Sequence, residues 1–209
     1  MHANILPFLF DIFVIMKILI VAATNREVEI EKFKDCNVLV TGIGIPNTIY
    51  SLTKELAFRS YDLIVNIGIA GSFNKSLEIG DTVEVTSDTF SDLGAESDNN
   101  FLTLQEIGFN VKSCFVSKKQ THFKTAKSIT VNTIHGNTES IKKIKKRLNP
   151  DIESMEGGAV MMVSENFNIP CIQIRAISNI VEKRNKDNWN ISMAISNLNY
   201  QVRKFIDCL

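Results

Sequence analysis

Three short, nearly unbroken apolar runs constrain this chain most. They are residues 17–23 (KILIVAA), 62–67 (DLIVNI) and 171–177 (CIQIRAI). A strand with one wet face alternates polar and apolar side chains; a run without alternation is buried on both faces, as in a parallel sheet covered by helices. Between the runs lie segments of helical period. Residues 47–59 follow Pro46, which suits a helix's first turn, and carry Ile49, Leu52, Leu56 and Ala57. Residues 137–148 begin at Asn137 or Thr138, both good caps, and repeat Ile141, Ile144 and Leu148. Residues 159–166 form a short helical run, and 191–209 an amphipathic terminal helix. Strands alternating with helices predict an α/β fold with a mostly parallel sheet covered on both sides. Further strands are expected at 37–41, 82–86, 110–116 and 128–132, and a short helix around 120–127. Residues 77–81 read as a turn, and 87–100 and 152–156 as loops.

The chain has 209 residues, enough for one substantial domain. Lysine plus arginine equals aspartate plus glutamate, 23 each, so no net field favours nucleic acid or an anionic membrane. Lys142, Lys143, Lys145, Lys146 and Arg147 lie above the Ile141–Ile144–Leu148 row and read as a solvated helix face. Cys36, Cys114, Cys171 and Cys208 have no metal-like or C-x-x-C spacing and read as free thiols in a reducing cytoplasm. Residues 5–16 are apolar apart from Pro7 and Asp11. That run is too short to span a membrane and lacks a cationic leader or cleavage site. Residues 1–15 are therefore expected to be an extension outside the fold, with Met16 opening the first strand and one domain covering 16–209.

In open α/β sheets ligands sit beyond the carboxyl ends of strands. Polar residues gather at those places. Glu27 follows the first strand; on its own it reads equally well as a helix-dipole partner. Residues 65–73 (VNIGIAGSF) read as a glycine loop after a strand, neither a P-loop nor a dinucleotide fingerprint. Gly68 and Gly71 would let main chain approach a flat or anionic ligand, although a ligand-free tight turn reads as well. Glu153 and Glu156 flank Ser154 and Met155 just before Gly157 and Gly158. A carboxylate at Glu156 can accept two hydrogen bonds from a vicinal diol such as ribose. Asn179, after the 171–177 strand, offers both a donor and an acceptor, which suits a lactam edge. His135 reads equally as a ligand neighbour or a structural histidine. Arg175 reads first as half of a structural ion pair, with an acid such as Glu153.

The combination of IESMEGGAV and, about twenty residues on, IRAISN resembles the purine nucleoside phosphorylase and methylthioadenosine nucleosidase superfamily. KILIVAATNREV, and NIGIAGSF followed by LEIGD, match its other signatures in order. Within it the nearer resemblance is to the futalosine hydrolases, through ESMEGGA, RAISNIVEKRNKDNW, VNTIHGN and FSDLGAE. The resemblance covers residues 16–209. It implies a three-layer αβα sandwich that hydrolyses the N-glycosidic bond of a nucleoside, with no metal or organic cofactor. By match to the motifs, Glu27 would activate water, Glu156 would bind the ribose hydroxyls, Met155 would pack on the sugar, and Asn179 would contact purine N7 and O6. Ile69 and Gly71 would line the substrate site. Methylthioadenosine nucleosidases carry aspartate where Asn179 stands, so the resemblance implies a 6-oxopurine. Gly158 stands where the family more often has alanine. Arg184, Lys186 and Trp189 are candidates for the carboxybenzoyl end of futalosine, with a solvated loop as the equal alternative.

The expected partner is thus a small nucleoside, with no nucleic acid and no membrane, and the expected assembly a cytoplasmic homo-oligomer. Three alternatives stay open: a methylthioadenosine/adenosylhomocysteine-type nucleosidase, a phosphorylase of the same superfamily, and a non-catalytic nucleoside-binding protein.

Overall fold

The computed structural model describes residues 16–98 and 100–209; the expectation for residues 1–15 lies outside them. In chain order the elements are β1 (Ile18–Ala22), β2 (Asn37–Val40), α1 (Ile45–Phe58), β3 (Leu63–Ser72), β4 (Thr82–Phe90), β5 (Gly94–Ser97), β6 (Asn100–Thr103), β7 (Cys114–Val116), β8 (Lys124–Thr130), α2 (Thr138–Leu148), β9 (Ile152–Ser154), α3 (Gly157–Asn166), β10 (Cys171–Ile180) and α4 (Ile191–Ile206). None of the described helices is long and apolar enough to cross a membrane.

β1 is central to a parallel trio, between β2 and β3. β3 then pairs parallel with β10, and β10 antiparallel with β4. β4 pairs parallel with β8, β8 parallel with β9, and β9 antiparallel back to β3. The last five strands therefore close a ring. A buried cluster with a member from each of them fills it: Ala70, Val83, Val85, Ala126, Ile152 and Ile177. β7 adds to the outer part of β4, and β5 and β6 form a separate hairpin.

The apolar runs do what their lack of alternation requires. Leu19 and Val21 of β1 pack with Leu52 and Leu56 of α1 and Val160 and Val163 of α3. Ile18 and Ile20 face the other way, in the cluster that holds Ala194, Leu198, Val202 and Phe205 of α4. The result is a three-layer αβα sandwich. α2 covers the ring's flank through buried Ile144, its basic side chains exposed. The Asn137 side chain caps it, accepting from the Glu139 and Ser140 N–H groups.

Several sequence expectations are corrected. Residues 65–73 are not a loop: β3 runs through the glycines to Ser72, because β10 on one side and β9 on the other take its main-chain hydrogen bonds. Residues 152–154 are not a loop either; β9 is fully buried between β8 and β3. The expected 120–127 helix is absent among the described residues. Lys124–Thr130 is strand, since it pairs parallel with β4 and buries Ala126 inside the ring and Ile129 on the opposite face, with Ile144 of α2. β4 continues to Phe90, and 94–103 forms a hairpin where a loop was expected. Only Cys114–Val116 of the 110–116 segment is strand.

Candidate active site

Beyond the carboxyl ends of β1, β3, β9 and β10 lies a cavity of about 380 Å³. Every residue singled out for the site, Glu27, Ile69, Gly71, Met155, Glu156 and Asn179, borders it.

Glu27 is fixed by the way β1 ends. Pairing of β1 with β3 stops at Asn66, so the Ile69 N–H lies past its reach. Glu27 Oε1 accepts that N–H at 3.2 Å, while its Oε2 accepts the Thr24 N–H and hydroxyl, both at 3.0 Å. The turn is tied down from α4. Fully buried Asn199 donates to the Glu27 carbonyl at 3.0 Å and accepts the Glu29 N–H at 2.8 Å. Sequence reasoning missed Asn199, whose only signal is a polar residue on the apolar stripe of α4. Gly68 is not among the residues that line the cavity. A Cβ there would lie 3.1 Å from Glu27 Oε1 and 3.5 Å from Arg175 Nη1, so the glycine makes room for those two groups.

Glu156 is the residue that precedes α3, yet its side chain does not cap the helix. It turns instead to the loop before α1, where Oε1 accepts the Gly44 N–H at 2.8 Å. Gly44 has φ +88°, the left-handed region that favours glycine. Burial pushes the Glu156 carboxyl above the ordinary glutamate range; the Gly44 N–H and Arg175 pull it back, and Glu27 pushes it further up. The start of α3 is pinned by a buried polar chain. The Gly158 N–H donates to Thr130 Oγ1 at 2.7 Å, Thr130 donates to Asp88 at 2.8 Å, and Gln173 Nε2 donates to Asp88 at 2.9 Å.

Arg175 does not pair with Glu153, contrary to the sequence expectation. It is buried at 2 % exposure and its Nη1 donates to the carbonyls of Ile174 and Asn66 and to Asn66 Oδ1, at 3.1–3.3 Å. Burial lowers its pKa, while Glu156, Asp88 and Glu27 hold the charged form. It therefore lends positive potential beneath Glu27 and Glu156 without lining the cavity. Glu153 pairs with His135. Its carboxylate accepts the His135 main-chain N–H at 3.0 Å and meets Nδ1 at 2.5 Å. Both residues border the cavity.

Asn179 lies within β10, not after it. The β10–β3 register slips between Ile177 and Asn179, so Ser178 is the extra residue of a bulge and Asn179 stands opposite Gly71. The Ser178 hydroxyl donates to Asn179 Oδ1 at 2.8 Å, and Asn179 Nδ2 donates to the Ile180 carbonyl at 3.1 Å. The Ile180 carbonyl, which only accepts, fixes which end of the amide is which, and the second N–H has no partner among the described residues. A Cβ on Gly71 would sit 2.9 Å from Val181 Cγ2 and 3.2 Å from Asn179 Nδ2, so glycine is needed beside the amide. A cavity with three carboxylates (Glu27, Glu156 and the His135-paired Glu153), an oriented amide and apolar walls from Ile69, Met155 and Trp189 can hold a flat polar ring and a polyol next to a water.

The sequence matches the phosphorylase superfamily over residues 23–207. It is 28% identical over 159 residues to a futalosine hydrolase of Streptomyces coelicolor, covering 72% of this chain and 68% of the relative. It is 30% identical to a 5′-methylthioadenosine/S-adenosylhomocysteine nucleosidase of Buchnera aphidicola, over 91% of this chain and 96% of that one. Among solved structures, futalosine hydrolase of Helicobacter pylori superposes with TM-score 0.79 at 15% identity, covering 93% of this chain and 98% of that one. A Colwellia psychrerythraea 5′-methylthioadenosine/S-adenosylhomocysteine nucleosidase in complex with adenine gives TM-score 0.78 at 20% identity, over 92% and 95%.

Proposed function

The chain belongs to the phosphorylase superfamily, and from that premise we propose that it is a nucleosidase that hydrolyses futalosine. The products are hypoxanthine and dehypoxanthine futalosine, a step of menaquinone biosynthesis. The observation that carries this reading is Asn179. Its orientation is set by Ser178 and Ile180, so the cavity meets a neutral amide donor where a carboxylate would act as an acid.

Cleavage of the C1′–N9 bond sends the bonding electrons into the purine and leaves an oxocarbenium-like ribose. Glu156 accepts the ribose hydroxyls and sets negative charge near that cation. Glu27 orients a water and takes its proton as the oxygen bonds to C1′. Met155 packs on the sugar, and Ile69 and Gly71 line the base. The free N–H of Asn179 donates to N7 or O6. A 6-oxopurine delocalises the developing negative charge over its lactam, so a hydrogen bond suffices where adenine calls for an acid; the purine anion then takes a proton from solvent, balanced by the one Glu27 returns to solvent. An adenine amino group presents a donor to the same N–H, a mismatch of about 1–3 kcal/mol in a buried site.

A second reading, cleavage of methylthioadenosine or adenosylhomocysteine, is favoured by the longer match to the Buchnera nucleosidase. A phosphorylase is disfavoured. Ser72, the hydroxyl of the glycine segment, is fully buried, and its Oγ is engaged by the Asn74 and Asp151 carbonyls at 2.9 and 3.4 Å. We also propose one nucleosidase domain over residues 16–209, a cytoplasmic homo-oligomer, and no cofactor. The test is futalosine turnover in ¹⁸O-labelled water, with and without phosphate. The reading expects hypoxanthine release independent of phosphate and label on the ribose C1′ oxygen; a ribose 1-phosphate product overturns it.

A further inference from the structure

Three neighbouring strands place Asn179, Gly71 and Glu153 in one lateral row. Asn179 of β10 stands opposite Gly71 of β3, which stands opposite Glu153 of β9. Residues paired across strands present their side chains on one face. Strands lie about 4.8 Å apart, so Asn179 and Glu153 are separated by roughly 10 Å across a glycine. All three border the cavity. Asn179 and Glu153 therefore mark the two edges of this stretch of the cavity wall. Asn179 supplies the donor at one edge. At the other stands the histidine that Glu153 holds.

The Glu153–His135 contact is built, not incidental. Glu153 is 4 % exposed and His135 15 %. One carboxylate oxygen takes the His135 main-chain N–H and the other takes Nδ1. The ring also packs edge-on to Phe73, with centroids 5.9 Å apart. A carboxylate accepts and does not donate, so the hydrogen of the neutral ring resides on Nδ1. Nε2, which has no partner among the described residues, is then an acceptor. We propose that His135, oriented by Glu153, is a specificity-determining residue that accepts the N1–H of a 6-oxopurine. Adenine has a lone pair at N1 and would meet another lone pair there. The base would thus be read twice, at N7/O6 by Asn179 and at N1 by His135. This rests on the purine-nucleoside reading of the cavity.

Free-base binding separates the two claims, because it requires no turnover. Hypoxanthine and adenine are titrated against the full chain by calorimetry. The wild type is expected to prefer hypoxanthine by at least tenfold. In Glu153→Gln the amide oxygen can still accept the His135 main-chain N–H. Its NH2 then donates to Nδ1, which moves the ring hydrogen to Nε2 and makes it a donor. The hypoxanthine-to-adenine ratio should swing toward adenine by tenfold or more at almost unchanged side-chain volume. His135→Ala should bring the ratio close to that set by Asn179 alone, and serves if Glu153→Gln does not fold. A ratio unchanged in both variants, or a wild type that prefers adenine as an imidazolium donor would, overturns the inference. The predicted swing in a protein that releases no hypoxanthine from futalosine would overturn the proposed reaction and leave this inference standing.

Discussion

The Asn179 amide cannot turn over without placing its oxygen against the Ile180 carbonyl. Asn179→Asp keeps the shape and exchanges a donor for an acceptor or an acid. On the proposed reading it lowers kcat/KM for futalosine about 10–100-fold, roughly 1.4–2.7 kcal/mol, and raises it for aminofutalosine; steady-state kinetics on both nucleosides checks this. Glu27→Gln is expected to cost about 10²–10⁴ in kcat, the range of a lost general base, with little change in substrate binding; single-turnover rates separate the two. Glu156 gives a pH prediction. Its folded pKa is raised, so its contribution to stability is fully present below the ordinary glutamate value of about 4.3 and is lost as pH rises through the folded value. Glu156→Gln keeps an oxygen for the Gly44 N–H and removes the buried charge. Thermal melts should show it more stable than wild type at neutral pH, by roughly 2–4 °C per kcal/mol gained. The advantage should vanish toward pH 4, and turnover should be lost. At this scale the convergence of Glu27, Glu156 and Asn179 on one cavity was legible because short motifs carry them. His135–Glu153 and Asn199 were not, since each depends on a partner 18 or 170 residues away.

Among the elements, the start of α3 decides where Glu156 stands. Its two glycines are not equivalent. A Cβ on Gly157 would lie 2.1 Å from Gln173 Nε2 and 2.3 Å from Asp88 Oδ2, whereas one on Gly158 would meet nothing nearer than 3.2 Å. Gly157→Ala should destabilise by about 1–3 kcal/mol through forced repacking of that buried polar chain. Gly158→Ala should change stability by well under that. Chemical denaturation of both variants makes the comparison. The apolar runs predicted β1, β3 and β10 because burial on both faces removes alternation. The glycine segment misled for a physical reason. Gly68 and Gly71 suggest a turn locally, while tertiary pairing with β9 and β10 keeps them extended. The second half of β8 was legible as the strand expected at 128–132, but its first half, KTAK, is polar and exposed except at Ala126, and its strand state comes from β4. The bulge at Ser178, which aims Asn179, leaves no mark in the sequence at all.

For the whole molecule, alternating strands and helices gave the layered class, but not the closure of five strands into a ring, which depends on the antiparallel returns of β9 and β4. Ring closure brings β9 beside β3 and thereby puts Glu153, Gly71 and Asn179 in one row. A homo-oligomer is proposed. Exposed Ile43, at 56 %, borders the cavity just before α1, and exposed Tyr50, at 69 %, lies in the second turn of α1; both suit a covered surface. Sedimentation equilibrium should give at least twice the 23.5 kDa chain mass, and the chain mass itself would refute the assembly. The most direct test of the account is the ratio of kcat/KM for hypoxanthine release from futalosine to that for adenine release from methylthioadenosine, measured on one preparation without phosphate. The account predicts a ratio well above one; a ratio below one, with adenine the faster product, would contradict it.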